Sequence, residues 1–238
     1  MFDFLFNEIA PFKSYSIQHY GPILFYAIFA IIAIKFAQKK LNKDQQYRFA
    51  FYISLLSPIL ILAWIAHLFY IGDFDVKQDL PLFLCNVLAF IYPVVIYKRS
   101  RKVLGVFYFM VLAGTAQGII TPDLKFGFPN LMFFRYWTIH CVPILLVFYS
   151  ISVFKVKINF KDFINAIVWM NIYLVVIFII NLLLKSNYAY TMRKPDSASL
   201  IDVLGPWPWY IISGEIIALV LFTLLYIPYI RFKKSSLR

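Results

Sequence analysis

Residues 163–184 read FINAIVWMNIYLVVIFIINLLL, and no position among them carries a charge. A helix rising about 1.5 Å per residue needs roughly 20 mostly apolar residues to cross a hydrocarbon core about 30 Å thick. By length and composition this run is a membrane helix. Working outward from it, comparable apolar segments recur at about 20–38, 49–71, 80–97, 103–121, 132–154 and 209–230. None alternates polar and apolar residues in the manner of an outer-membrane strand, which argues against a barrel. The expected fold is therefore all-α: a seven-transmembrane-helix bundle forming a single domain over residues 1–238. Composition agrees, with 62% hydrophobic residues, 14% charged and a mean hydropathy of +0.77, outside the soluble globular class.

Orientation follows from the 23 Lys and Arg residues, because an energised membrane disfavours the translocation of positive loops. Lys35, Lys39, Lys40, Lys43 and Arg48 surround the first connection, and Lys98, Arg99, Arg101 and Lys102 fill the third. Lys155, Lys157 and Lys161 mark the fifth, and Arg231, Lys233, Lys234 and Arg238 close the tail. An alternating bundle gathers these sixteen at one end. The other end has Lys13, Lys77, Lys125, Arg135, Lys185, Arg193 and Lys194. The N-terminus is expected outside and the C-terminus in the cytoplasm, in a bacterial plasma (inner) membrane. The +12 net charge is then a topology signal made of short clusters, and nucleic acid is not an expected partner.

Residues 1–19 mix Asp3, Glu8 and Lys13 with Phe2, Phe4, Leu5, Phe6 and Ile9, without the basic start, apolar run and small-residue site of a cleaved signal. They are expected to lie on the outer surface as a short amphipathic helix. Residues 185–208 are long for a connection in a compact bundle and are expected to cap the outer end. Cys85 and Cys141 both fall inside helices, so no disulfide is expected. His19, His67 and His140 are too dispersed for metal-ligand spacing, and no Gly-rich phosphate loop, CxxC pair or HExxH occurs. No metal and no soluble cofactor are expected. The absence of a convincing internal repeat lowers the case for a transporter built from duplicated halves.

Alternation of chain direction also brings one set of polar residues to the outer end. The fourth helix ends at Thr121-Pro122-Asp123, with Gln117 one turn earlier on the face of Thr121. The fifth starts with Arg135 and reaches His140 about 12 Å in from Met132, while Cys85 and Glu215 fall roughly 8 to 9 Å deep at 1.5 Å per residue. Ionisable groups in a bilayer each cost about 2.5–3.5 kcal/mol, so Arg135, His140 and Glu215 are expected to pair inside the bundle. The connection 185–208 adds Tyr190, Arg193, Asp202 and Trp207. Its Gly205-Pro206-Trp207-Pro208-Trp209 run has few accessible backbone conformations, as a rigid cap requires. Each residue has a plainer reading too: snorkelling for Arg135, helix packing for His140, a small buried apolar group for Cys85, an aromatic belt for Trp207 and Trp209.

Several of these residues sit in longer motifs: Leu80-Pro-Leu-Phe-Leu-Cys85, Thr121-Pro-Asp123, Phe133-Phe-Arg-Tyr-Trp-Thr-Ile-His140, Asn187-Tyr-Ala-Tyr-Thr-Met-Arg-Lys-Pro195 and Asp202-Val-Leu-Gly-Pro-Trp-Pro-Trp-Tyr210. In this order, over about residues 50–230, the chain resembles the YwaF-like family of bacterial integral membrane proteins. That family is similar to an animal branch of cysteine-dependent phospholipid acyltransferases, and the resemblance implies a membrane-embedded cysteine and histidine. His140 matches the histidine. Leu82 stands where the animal branch carries its cysteine and Phe83 where many bacterial relatives have a histidine, so Cys85 lies one helical turn from the animal position.

The leading expectation is a lipid acyl-transfer enzyme, an acyltransferase or hydrolase, acting on a membrane phospholipid or other lipid. His140 would be the general base and Cys85 or a water the nucleophile. Arg135 and Arg193 would hold a phosphate or oxyanion, with Asp123 or Glu215 orienting the histidine or pairing an arginine. Gln117, Tyr190, Asp202 and Trp207 complete the expected binding surface. Alternatives are a non-enzymatic lipid or small-molecule binding or transport protein, and a structural subunit of a membrane complex. The sequence sets no oligomeric state.

Overall fold

The computed structural model describes residues 5, 6, 10–195 and 200–235, excluding the side chains of 200 and 231–235. Among these residues seven helices run in order: α1 Ile17–Lys40, α2 Lys43–Ile71, α3 Leu84–Tyr97, α4 Arg101–Ile120, α5 Leu131–Ser152, α6 Phe160–Leu184 and α7 Trp209–Ser235. Six are long and apolar enough to cross a membrane. The exception, α3, has 14 residues. At about 1.5 Å per residue it spans about 21 Å, short of a hydrocarbon core.

Local signals explain most boundaries. Ser16 caps α1, Asn42 forms a capping box with Gln45 at α2, Asn130 caps α5 through Met132 N, and Asn159 forms a capping box with Asp162 at α6. Each cap satisfies backbone N–H groups that have no partner within the helix, an effect of about 1 kcal/mol. Inside α4 the ladder widens into a π-helical stretch, Met110–Thr115, before returning to α-helix at Gln117.

α4 and α5 form the centre, with 56% and 61% of their apolar windows buried, against 11% for α1, α6 and α7. Aromatic rings run through the core: Tyr92 packs edge-on against Phe107, and Phe109 packs edge-on against Phe163 and at a tilt against Phe222. The outer faces of α1, α6 and α7 expose Leu24, Ile31, Val175, Leu183 and Val220, as lipid-facing helices do.

The bundle has two chemically different ends. One, the basic end, gathers the connections around 41–42, 98–100 and 153–159. There Asp162 accepts from Arg101 Nη1 and Nη2 at 3.0 and 2.9 Å, and Arg101 also donates to Lys157 O. Arg99 pairs with Asp44, Gln38 donates to Ser152 O and Tyr149 OH to Gln46 O. The other, the cap end, gathers 72–83, 121–130, 185–195 and 200–208.

Two expectations need correction. The span expected from residue 80 begins at Leu84, because the backbone of 80–82 is held by distant side chains: Leu80 N donates to Tyr188 OH and Tyr173 OH donates to Leu82 O. The N-terminal stretch is not helical over 10–16. It pairs instead with the 125–127 loop, through Phe12 N to Lys125 O and Gly127 N to Ala10 O. Phe6 stacks on His67 at 4.0 Å between ring centres. Phe2, Asp3, Phe4, Glu8, Ile9 and Arg238 lie outside the described residues, as do the side chains of Arg231, Lys233 and Lys234.

Candidate functional site

The first turns of α5 supply the floor of the cap end. Tyr136 donates its hydroxyl to Gly118 O at 2.7 Å and accepts from Asp123 N at 3.2 Å, tying α5 to the end of α4. One turn on, His140 places Nδ1 2.7 Å from the carbonyl of Tyr136. A carbonyl only accepts, so Nδ1 carries the proton and Nε2 keeps a lone pair. That nitrogen lies over Gly118, where a Cβ would overlap the imidazole. Glycine at 118 is therefore what admits the ring, and His140 is buried at 7% exposure.

Arg135, half-buried, sits beside this pair. The Cys85 thiol and the Asp79 carboxylate lie within its electrostatic range, and so does His140. Its Nε is buried and has no hydrogen-bond partner among the described residues. Cys85, at the start of α3, is half-buried and also within range of Tyr136 and Tyr173. No hydrogen bond joins Cys85 to His140; Arg135 is their shared neighbour.

Over this floor lies the cap, organised by one residue absent from the sequence reading. Asn181, fully buried in the last turn of α6, donates to Tyr188 O and to Thr191 Oγ1 and accepts from Ser186 Oγ and Tyr188 N, all at 2.7–2.8 Å. It holds Lys185, Ala189 and Tyr190 in left-handed backbone conformations, at φ of 54°, 51° and 55°. Such residues cost about 1–3 kcal/mol each and persist only where their surroundings fix them. Tyr188 OH donates in turn to Val76 O, and burial pushes that hydroxyl above the usual tyrosine range, keeping it protonated. Phe83 packs against Tyr188 and Tyr190, Tyr190 OH reaches Asp123 Oδ2 at 3.4 Å, and Tyr210 OH donates to Tyr190 O. Trp207 Nε1, two residues before α7, donates to Thr191 O and closes the cap.

The residues singled out from sequence thus divide. Cys85, Asp123, Arg135, His140 and Tyr190 come together, and Trp207 anchors the cap above them. Gln117 bonds back to Ala113 O along its own helix. Arg193 is exposed, its backbone tied to Asn187. Asp202 is exposed, with its carbonyl accepting from Lys194 Nζ. Glu215 does not join Arg135 and His140; it accepts from Asn171 Nδ2 at 3.3 Å in a shallow cleft between α6 and α7.

A family model described as the TMEM164 family matches residues 14–226, which include every element of this site. The chain belongs to the TMEM164 family. Neither a curated protein nor a solved structure matches it. With six helices able to cross a bilayer, this TMEM164-family chain is a multi-pass membrane protein. Besides Asn181, the site depends on Tyr136, Tyr173 and Gly118. Their signals were faint: one asparagine near the end of an apolar run, and one glycine inside a helix.

Proposed function

We propose that the cap end carries out acyl transfer on a membrane glycerolipid, with the chain placed on the YwaF-like bacterial branch and the cap on the outer face of the plasma membrane. The observation that carries this reading is His140. Its Nδ1 is committed to a backbone carbonyl, its Nε2 is left as a base, and a guanidinium whose Nε has no partner among the described residues stands beside it. His140 would take the proton from the Cys85 thiol or from a water as the nucleophile attacks the ester carbonyl carbon. Arg135 would hold the developing oxyanion or a headgroup phosphate. The ester C–O bond then breaks, and the proton passes from His140 to the departing alkoxide; on the Cys85 route an acceptor lipid's hydroxyl next attacks the thioester, giving its proton to His140, which returns it to the departing Cys85 thiolate, whereas attack by water releases a fatty acid. A cap tied down by Asn181 and Tyr188 suits the exclusion of water, and acyl transfer between lipids calls for no soluble cofactor.

Mass spectrometry of lipids incubated with the purified protein tests this. Time-dependent acyl exchange or fatty-acid release, lost in His140→Ala, is the expected result. Cys85→Ala then separates a thioester route, which it abolishes, from direct attack by water, which survives it. A second reading, lipid binding without turnover, is favoured by the missing Cys85–His140 hydrogen bond. It predicts no turnover and a co-purifying lipid that disappears in Arg135→Ala.

A further inference from the structure

Glu215 stands apart from the His140 cluster. Of the 11 carboxylates in the chain it is the one that lies more than a turn inside a described membrane-spanning helix. It sits about 9 Å beyond the start of α7, at about 1.5 Å per residue, and its neighbour Asn171 lies about 17 and 20 Å from the two ends of α6. Asn171 Nδ2 donates to Ile167 O at 3.0 Å and to Glu215 Oε2 at 3.3 Å. Asn171 is exposed and Glu215 half-buried, and both line the cleft between α6 and α7 together with Met170, Ala218 and Phe222. Around them Val168, Ile172, Ile212, Ile216 and Leu219 are exposed and apolar, so the pair opens on lipid. Tyr173, whose hydroxyl donates to Leu82 O beside Cys85, is two residues from Asn171, which at about 100° per residue puts the two on nearly opposite sides of α6.

Acidic side chains inside a bilayer are rare, and almost all face the protein interior or a watery cavity and have a charged or polar partner. Glu215 faces outward with only an amide. The ion pairs printed by the fold, Arg99 with Asp44 and Arg101 with Asp162, are at the basic end, and no cation among the described residues reaches Glu215. Nor does any hydrogen bond between described residues engage Asn171 Oδ1 or Glu215 Oε1. Two acceptors stand open toward lipid, and hydrocarbon offers them no donor. The cleft beside them has room for about 20 Å³, the space of one water-sized group. That is small for a guanidinium and suits an ammonium, a compact charge with three donors. A second copy of this chain does not supply one: apart from Arg135, which belongs to the His140 cluster, every Lys and Arg within a described helix lies toward the basic end, whereas Glu215 is nearer the cap. We propose that the α6–α7 cleft docks a transmembrane helix of a partner protein, whose lysine ammonium donates to Glu215 and Asn171. The proposal does not rest on acyl transfer.

Fluorescence energy transfer in phosphatidylcholine vesicles tests the proposal, between full-length protein and three synthetic leucine-rich helices of about 20 residues that differ in one central residue, Lys, Gln or Leu. The Lys helix should bind about five- to thirtyfold more tightly than the Leu helix, the effect of a polar contact between membrane helices, and more tightly than the Gln helix. Glu215→Gln should erase the advantage of Lys over Gln, and Asn171→Leu should reduce it. The first substitution keeps the side-chain shape and the second falls on an exposed residue, so the fold should tolerate both. Equal binding of the Lys and Leu helices, or of the Lys and Gln helices, overturns the proposal, and so does a Lys preference that persists in Glu215→Gln. Energy transfer between labelled copies of the protein that disappears in Glu215→Gln assigns the cleft to a second copy and overturns it as well.

Discussion

Asp162 and Arg135 are both charged side chains near the start of a helix, at opposite ends of the bundle, and their surroundings differ completely. Asp162 is buried and saturated: it takes two bonds from Arg101, caps its own helix through Asn159, and is packed so closely that a Cβ on Gly105 would strike its carboxylate. Arg135 has Asp79 and Cys85 within electrostatic range but leaves its buried Nε without a hydrogen-bond partner among the described residues. The contrast extends beyond one pair. All five buried side-chain atoms without a partner among the described residues, on Gln18, Asn86, Thr115, Arg135 and Trp137, lie in the half of the bundle nearer the cap. The basic end is finished by its own residues. The cap end keeps polar capacity in reserve, which is costly in a fold and useful in a site.

The largest effect that would sharpen this contrast is expected within the cap itself. Asn181→Ala strands several buried groups at once and should lower stability by about 3–4 kcal/mol. Hydrogen exchange should show protection lost first over residues 185–195; uniform loss along the chain would contradict its role as the organiser of the cap. At the basic end, Asp162→Ala removes a bidentate partner and a capping box for about 2–3 kcal/mol, reduced from a fully buried pair because the Arg101 side chain is 40% exposed. Unfolding in detergent measures it, and lipid turnover at temperatures below the transition should stay at the wild-type level. Gly118→Ala drives a methyl into the His140 imidazole and should cost about 1–3 kcal/mol as overpacking. Its more telling readout is turnover, expected to fall with His140→Ala even where the protein remains folded. The smallest change is Thr115→Val, which removes an unpartnered hydroxyl with little change of shape and should be neutral or stabilising by up to about 1 kcal/mol. A clear destabilisation there would break the comparison, because the hydroxyl would then have a partner after all.

How far the site was legible depends on which coordinate it needed. Depth follows from counting residues along a helix, and Cys85 and His140 each lie within electrostatic range of Arg135. Azimuth does not follow from a count. Glu215 has the right depth but α7 turns it toward Asn171, away from Arg135. The π-helical stretch at 110–115 is equally invisible beforehand, since no residue type demands it, although it immediately precedes the Gly118 that receives His140. The start of α3 was misplaced for a third reason. Leu80 and Leu82 are apolar enough for a helix, yet Tyr188 and Tyr173, far along the chain, take their backbone groups instead.

The sequence by itself determined the solvent, the helical class and which connections are basic, because each depends on sums over local stretches: apolar length against bilayer thickness, and the placing of Lys and Arg between helices. Asparagines at the starts of α2, α5 and α6 set helix boundaries for the same local reason. Only the tertiary structure decided which polar groups are satisfied and which are held open. That outcome depends on pairings between residues 60 to 110 positions apart, such as Arg101 with Asp162 and Tyr188 with Leu80, and on a glycine whose missing side chain matters only because His140 fills the space.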